Sequence, residues 1–315
     1  MSSRRAAVLT AVSALALAGC AAPQDDGDDR VAVLASFYPL QYVAEQVGGE
    51  HVRVDALTPP GAEPHDLELS PRQVRAVGDA DVVLVLGGFQ AAVDEAVAAR
   101  TPEHLVDAAD VPAIAAAMGT QEDDDGAHED EDHAADEHDG HAHADGDPHF
   151  WLDPTLLGAL AGEVGAALAG ADPDHAADYE AGALALEADL AALDTELTEG
   201  LATCERHVIV TAHAAFGFLA DRYGLEQVGI SGLDPEGEPS PARIREVRAS
   251  IAEHDVTTIF TETLVSPEVA ESLAADLGLV TAVLDPVESR ADDETDYRGA
   301  MERNLQALRE ALSCA

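Results

Sequence analysis

Four residues far apart in the chain have the types and surroundings to hold one metal ion together. His65 lies in Pro59-Pro60-Gly61-Ala62-Glu63-Pro64-His65-Asp66, where three prolines stiffen its approach. His149 lies in Asp147-Pro148-His149-Phe150-Trp151-Leu152-Asp153-Pro154 and His213 in Thr211-Ala212-His213-Ala214-Ala215-Phe216-Gly217. Asp285 directly follows Ala282-Val283-Leu284 and precedes Pro286. Three neutral imidazoles and one carboxylate make a four-coordinate N3O set that suits Zn2+, an ion with no d-electron geometry to satisfy. Ahead of His149, the run from Gly119 to Asp147 has almost no apolar side chain. It sets His128, His133, His138, His141 and His143 among thirteen carboxylates. Such a run cannot bury enough apolar surface to fold, so it is expected to be a disordered loop that collects cations weakly beside a rigid site. His51, His104, His175, His207 and His254 read as ordinary polar residues.

The elements that must position these residues alternate. Short β-rich runs occur at Val31–Ala35, Val52–Leu57, Val82–Leu86, Val208–Thr211, Thr257–Thr261 and Thr281–Leu284. Helical runs separate them, several opened by Ser-Pro: Ser70-Pro71 with Gln73 completing a capping box, Ser240-Pro241 and Ser266-Pro267. This alternation predicts an α/β fold of parallel sheets covered by helices, in which ligands sit beyond the carboxyl ends of strands. Three of the four candidate ligands closely follow a predicted strand. No GxGxxG and no P-loop occurs, which removes nucleotides as the ligand. From Pro173 to Leu201, apolar residues Tyr179, Ala183, Leu186, Leu190, Leu193, Leu197 and Leu201 recur in steps of four and three without an intervening proline. That spacing predicts a rigid rod of about 40 Å, a spine between two α/β halves in preference to an isolated coiled coil.

A chain of 315 residues with 47% apolar content can build two cores. The net charge of -46 argues against binding nucleic acid or an anionic surface by charge, and every one of the 16 cations is arginine. Arg4 and Arg5, an apolar run to Ala18 too short to span a bilayer, and Leu17-Ala18-Gly19-Cys20 predict an export signal over residues 1–19. No other stretch reads as a membrane span. Cys204 and Cys314, the two cysteines beyond Cys20, form an even pair in an oxidising compartment and are expected to be disulfide-bonded.

Leu17-Ala18-Gly19-Cys20 resembles the bacterial lipobox, which implies lipidation of Cys20 and a flexible tether to residue 29. The body of the chain resembles the metal-binding subunits of bacterial ABC importers, the ZnuA-like and TroA-like family. The likeness rests on Ser36-Phe37-Tyr38-Pro39-Leu40, Gly61-Ala62-Glu63-Pro64-His65, the Asp147–Pro154 stretch, Thr211-Ala212-His213, Phe260-Thr261-Glu262 and Leu284-Asp285-Pro286. It implies two lobes joined by a long helix with metal between them: an N-terminal lobe over 30–172 (His-rich loop 119–147), a linker helix over 173–202 and a C-terminal lobe over 203–315. It also implies His65 and His149 from the first lobe, His213 and Asp285 from the second, and Glu262 orienting an imidazole. His at 213 resembles the zinc members, where manganese carriers tend to have Glu. Two departures stand out. The position before His65 is Pro64 where some zinc members place a liganding Glu, and Glu63 lies one residue further back. Gln90 occupies a position that is often Glu in the family, with Ala91-Ala92 where an aromatic is common.

The expected function is capture of Zn2+ outside the cytoplasm by a monomeric, lipid-anchored protein that delivers it to a membrane permease, without catalysis. The rivals are a manganese or iron carrier of the same family, a His-rich storage or adhesion lipoprotein, and a metallohydrolase with Glu262 as general base. The last would need an open metal position, and no HExxH or GxSxG motif occurs.

Overall fold

The computed structural model describes residues 30–120, 146–290 and 295–315. The expected signal, Cys20, the tether and the five histidines from His128 to His143 lie outside the described residues.

Two four-stranded parallel sheets form. The first contains β1 (Val31–Ala35), β2 (Val52–Ala56), β3 (Val82–Val85) and β4 (His104–Asp107) in the order β2-β1-β3-β4. The second contains β5 (Val208–Thr211), β6 (Glu226–Gly229), β7 (Thr258–Thr261) and β8 (Val280–Val283) in the order β6-β5-β7-β8. The inner strands are nearly continuous apolar runs because both faces of a parallel sheet are covered. Sequence patterning does not reveal β4 and β6. Both are edge strands with one buried residue each, Val106 and Gly229, so neither needs the apolar run that announces a strand. In each sheet the chain steps outward from the first strand and then crosses back to its other side. That reversal opens a crevice at the carboxyl ends of β1 and β3, and likewise of β5 and β7.

The helices are α1 (Tyr38–Gly48), α2 (Pro71–Asp79), α3 (Ala91–Arg100), α4 (Pro112–Thr120), α5 (Pro154–Ala171), α6 (Ala176–Leu201), α7 (Gly217–Tyr223), α8 (Pro241–Glu253), α9 (Glu268–Leu277) and α10 (Tyr297–Leu312). At the start of α2, Ser70 Oγ accepts from Gln73 N–H while Gln73 Oε1 accepts from Ser70 N–H, completing the expected capping box. The spine helix α6 begins at Ala176, after a 3-10 turn over Pro173–His175, and its seven-residue stripe from Tyr179 to Leu201 is buried. Truncating one of these leucines to alanine would cost about 2 to 5 kcal/mol. Gly182 is needed where α6 crosses the end of α1, since a Cβ there would lie 2.3 Å from the Val47 carbonyl oxygen. Helix α5 is apolar and long enough to pass as a membrane span by composition, contrary to the sequence reading, with a mean hydropathy of 1.3 over 18 residues. Its apolarity serves packing, for Leu157, Leu160, Val164 and Leu168 are buried in the same core as the α6 stripe.

One continuous hydrophobic cluster joins the halves, running from Val33 and Phe37 through Trp151 and Leu193 to Phe216, Phe260, Leu284 and Leu308. Polar bonds reinforce it: Trp151 Nε1–H donates to Pro286 C=O (2.8 Å), and Tyr297 O–H donates to Trp151 C=O (2.6 Å). Arg298 reaches Asp189 and Glu196 on α6. Cys204 and Cys314 are disulfide-bonded across 110 positions, beside Leu312 C=O, which accepts from Glu205 and Arg206 N–H. Replacing both cysteines by serine is expected to lower unfolding stability by up to about 4 to 5 kcal/mol. Because the bridge is remote from the candidate ligands, metal affinity should hold; calorimetric melting alongside metal titration checks both, and a large affinity loss with an unchanged melt would contradict this placement.

Candidate metal centre

The candidate ligands sit on loops beyond strand ends. His65 follows β2 and His213 follows β5, while His149 opens the 3-10 turn Phe150–Leu152 that leads into α5. The structure brings these three together with Glu288, in the loop after β8. One ligand atom from each of the four lies within 4.8 Å of every other. The three Nε2 atoms face a single oxygen, Glu288 Oε1, at 3.4 Å from His65, 2.9 Å from His149 and 3.6 Å from His213. A tetrahedral ion with bonds of about 2.0 Å separates its ligands by roughly 3.3 Å, so the cluster already has close to the spacing such an ion needs. His149, His213 and Glu288 are buried and His65 is nearly so. Among the described residues, Nε2 of His149 and both ring nitrogens of His213 lie off any hydrogen-bonding line, which is costly for a buried polar atom unless a charged partner compensates.

Carboxylates aim the imidazoles. Asp147 Oδ1 accepts from both the backbone N–H and Nδ1–H of His149, at 2.9 and 2.5 Å, so Nε2 is left to point inward. Glu262 stands in a similar relation to His213: Oε1 accepts its backbone N–H at 3.2 Å, and Oε2 lies 2.6 Å from Nδ1, at ion-pair distance but off the hydrogen-bonding direction. Glu63 accepts the backbone N–H of His65 at 3.0 Å and stays 3.8 Å from its Nε2, outside the four-residue cluster. The ring of His65 stands edge-on to Phe89 at 4.8 Å. The orienting role of Asp147 escapes sequence reasoning, although its place two residues before a histidine, matching Glu63 and His65, is a usable signal.

Asp285 is not brought into the cluster. Its Oδ1 accepts from Val287 N–H (2.8 Å), and Asn304 grips its backbone on both sides, accepting its N–H at 2.8 Å and donating to its C=O at 2.7 Å. Asp285 therefore shapes the turn that delivers Glu288. At the heart of that turn Val287 has φ of 56°, a left-handed conformation that a β-branched residue rarely adopts. The place in the cluster expected for Asp285 is thus occupied by Glu288, three residues on, because the turn points Asp285 back at the loop.

Burial alone would lower the pKa of both inner imidazoles, but the carboxylates around them outweigh it. Asp147 and Glu288 lift His149 to about 9, and Glu262 and Glu288 lift His213 to about 10. Burial would raise Glu288, yet the three imidazoles hold it well below the usual carboxylate range. Without metal the centre is therefore a buried cluster of imidazolium and carboxylate. A dication that displaces two protons leaves the net charge unchanged, so exchange carries no new burden of buried charge.

A cavity of about 310 Å³ opens beside His65, lined also by Phe89, Met118, Gly146, Pro148 and Asp234. Met118 and Gly146, which bracket residues 121–145 in the sequence, thus both lie at this cavity.

Comparison with known proteins points to one family. The model of the family described as zinc-uptake complex component A, periplasmic, matches residues 33–311. The zinc-binding lipoprotein AdcA of Streptococcus pneumoniae (serotype 4) is 33% identical over 96% of this chain, which spans only 60% of AdcA. The high-affinity zinc uptake system protein ZnuA of Bacillus subtilis is 34% identical over 91% of this chain and 89% of its own length. Among solved structures, Zn(II)-bound AdcA from Streptococcus pneumoniae superposes with a TM-score of 0.71 at 28% identity, over 90% of this chain and 58% of that one. The laminin-binding protein Lmb of Streptococcus agalactiae, described as having adhesin and metal-transporting activity, gives 0.74 at 29% identity, over 90% and 99%. A family model matched across nearly the whole described fold, with relatives above 30% identity on either side of it, leaves one assignment: the chain belongs to the zinc-uptake complex component A family.

Proposed function

We propose that this protein captures Zn2+ between its two lobes and hands it to an ABC permease in the membrane. The observation that carries the reading is the convergence of three buried Nε2 atoms on one Glu288 oxygen. The proposed ligands are His65, His149, His213 and Glu288, with Asp147 and Glu262 orienting the two inner imidazoles. Three nitrogens and one oxygen favour zinc over manganese, which prefers carboxylate and water oxygens. The relatives named for zinc binding and zinc uptake support the same metal. Four protein ligands close the coordination sphere, which favours binding and release over the open, water-activating site of a hydrolase. In this reading residues 30–172 and 203–315 are the lobes and 173–202 the spine. Cys20 anchors the chain on the outer face of the membrane, and the protein acts as a monomer.

Zinc calorimetry on substituted protein tests the ligand set. His149→Ala, His213→Ala and Glu288→Gln should each abolish the tight site, while Asp285→Ala should retain measurable tight binding and lose only part of the affinity as the Glu288 turn loosens. If Asp285→Ala were as damaging as the histidine changes and Glu288→Gln harmless, the fourth ligand would be Asp285 after all.

The raised pKa values set a pH dependence. Imidazole ligates only when neutral, and at pH 6 to 8 both His149 and His213 are protonated in the metal-free protein. Binding should release about two protons per Zn2+, so affinity should climb steeply with pH, approaching 100-fold per unit, and level off above pH 9 to 10. Titration in buffers of different ionisation enthalpy counts the protons; release near zero would refute the protonated resting state.

The histidines from His128 to His143 are proposed as weak accessory sites. Deleting residues 121–145 should leave one tight site at nearly unchanged affinity, remove weaker binding, and slow capture at low ionic strength, where the acidic run's field reaches furthest. Loss of the tight site on deletion would make the run itself the principal binder and favour the storage reading.

A further inference from the structure

His65 is the only one of the three clustered histidines with appreciable solvent exposure, at 15% of its side chain against 0% and 1% for His149 and His213. It also lies on the least regular support, since no helix or strand occurs between the end of β2 at Ala56 and the start of α2 at Pro71. Something must fix the backbone at this histidine if its Nε2 is to meet the other two. Phe89 supports the ring. The next residue, Gln90, reaches the backbone.

Gln90 is the N-cap residue of α3, yet its side chain makes no capping bond. Its backbone C=O accepts from Val93 and Asp94 N–H, which anchors the residue to the helix, while its amide turns inward and is buried. There Nε2 donates both hydrogens: one to Pro64 C=O (3.0 Å), the carbonyl directly before His65, and one to Thr58 Oγ1 (3.1 Å). Thr58 Oγ1–H in turn donates to Ser36 C=O at the end of β1 (2.8 Å). The loop is thereby tied to the first sheet through one buried amide. The chemistry is particular to glutamine, because Pro64 C=O can only accept and the Thr58 hydroxyl has already spent its hydrogen on Ser36. A carboxylate could not donate to either, and a shorter amide on the same backbone would not span the gap.

We infer that Gln90 is a positioning residue for metal binding, acting through Pro64 to hold His65 in ligating geometry and so to slow release of the ion. This rests on the reading of His65 as a ligand. A second constraint reaches the same loop from the other lobe, where Ser289 Oγ accepts from Gly61 N–H at 2.9 Å; it restrains the tip of the loop, while Pro64 C=O accepts from Gln90 at 3.0 Å and, within the loop itself, from Leu67 N–H at a longer 3.4 Å.

The test is a double-mutant cycle on the full chain, with Zn2+ affinity read by chelator competition, dissociation by stopped flow, and metal-free melting for each variant. Gln90→Leu removes both donors at similar size and should weaken Zn2+ binding about tenfold, chiefly through faster dissociation. In a His65→Ala background the same change should cost nothing further, because the residue it positions is gone. Gln90→Glu, which keeps the shape and removes the donors, provides an independent variant should Gln90→Leu fold poorly, and should also weaken binding. The inference is overturned if Gln90→Leu and Gln90→Glu bind Zn2+ like the parent, or if the loss persists undiminished with His65→Ala. If His65→Ala alone left affinity unchanged, the ligand assignment of His65 would fall instead, which is a separate and distinguishable result.

Discussion

Three imidazoles and a carboxylate are crowded within 4.8 Å of one another at a point almost sealed from water, and the rest of the molecule answers the cost of that crowding. Buried charges are tolerable only when paired, and buried ring nitrogens only when their lone pairs and protons have partners. Here a second ring of carboxylates supports the histidines: Asp147 accepts from Nδ1–H and the backbone N–H of His149, Glu262 and Glu63 accept from the backbone N–H of His213 and of His65, and Glu262 Oε2 lies 2.6 Å from His213 Nδ1. The Nε2 atoms of His149 and His213, which have no hydrogen-bond partner among the described residues, face Glu288 Oε1.

Holding that geometry requires rigid support from both halves. The continuous core from Phe37 to Leu308 and the α6 stripe supply it without specific direction. Direction comes from a few polar bonds. Trp151 is fixed at both ends to the C-terminal half, through its indole to Pro286 and through its carbonyl to Tyr297. Because Trp151 lies two residues after His149, and Pro286 two before Glu288, the same bond sets the separation of one candidate ligand from another. The strained Val287 between Pro286 and Glu288 persists because Asp285, Asn304 and Trp151 constrain the turn around it. Such a conformation costs of order 1 to 3 kcal/mol, which the surrounding bonds must offset.

The excess of carboxylates reads differently near and far from the centre. Near it, Met118 and Gly146, which bracket the acidic stretch 121–145 in the sequence, line the cavity beside His65. Elsewhere the few arginines are spent on joining elements: Arg222 pairs with Asp194 to hold α7 against α6, and Arg248 pairs with Asp276 between α8 and α9. Those exposed pairs are each worth about 1 kcal/mol or less, so the fold depends on its core far more than on them.

The amino-acid sequence by itself determined the inner strands, the spine helix, the alternation that makes parallel sheets, and the neighbourhood of the three histidines. These were legible because period, proline placement and strand-end position are local properties of the chain. The edge strands β4 and β6 were not, since an edge strand is defined by its neighbour and can carry an almost polar sequence. Nor was the choice between Asp285 and Glu288. Both are acids just past β8, and no local pattern separates them; the decision lies in a left-handed backbone at Val287 and in Asn304 from α10, which turn one carboxylate onto its own loop and the other into the cluster. Only tertiary structure could decide it, because the direction of a side chain at the end of a loop is set by contacts made far away in the sequence.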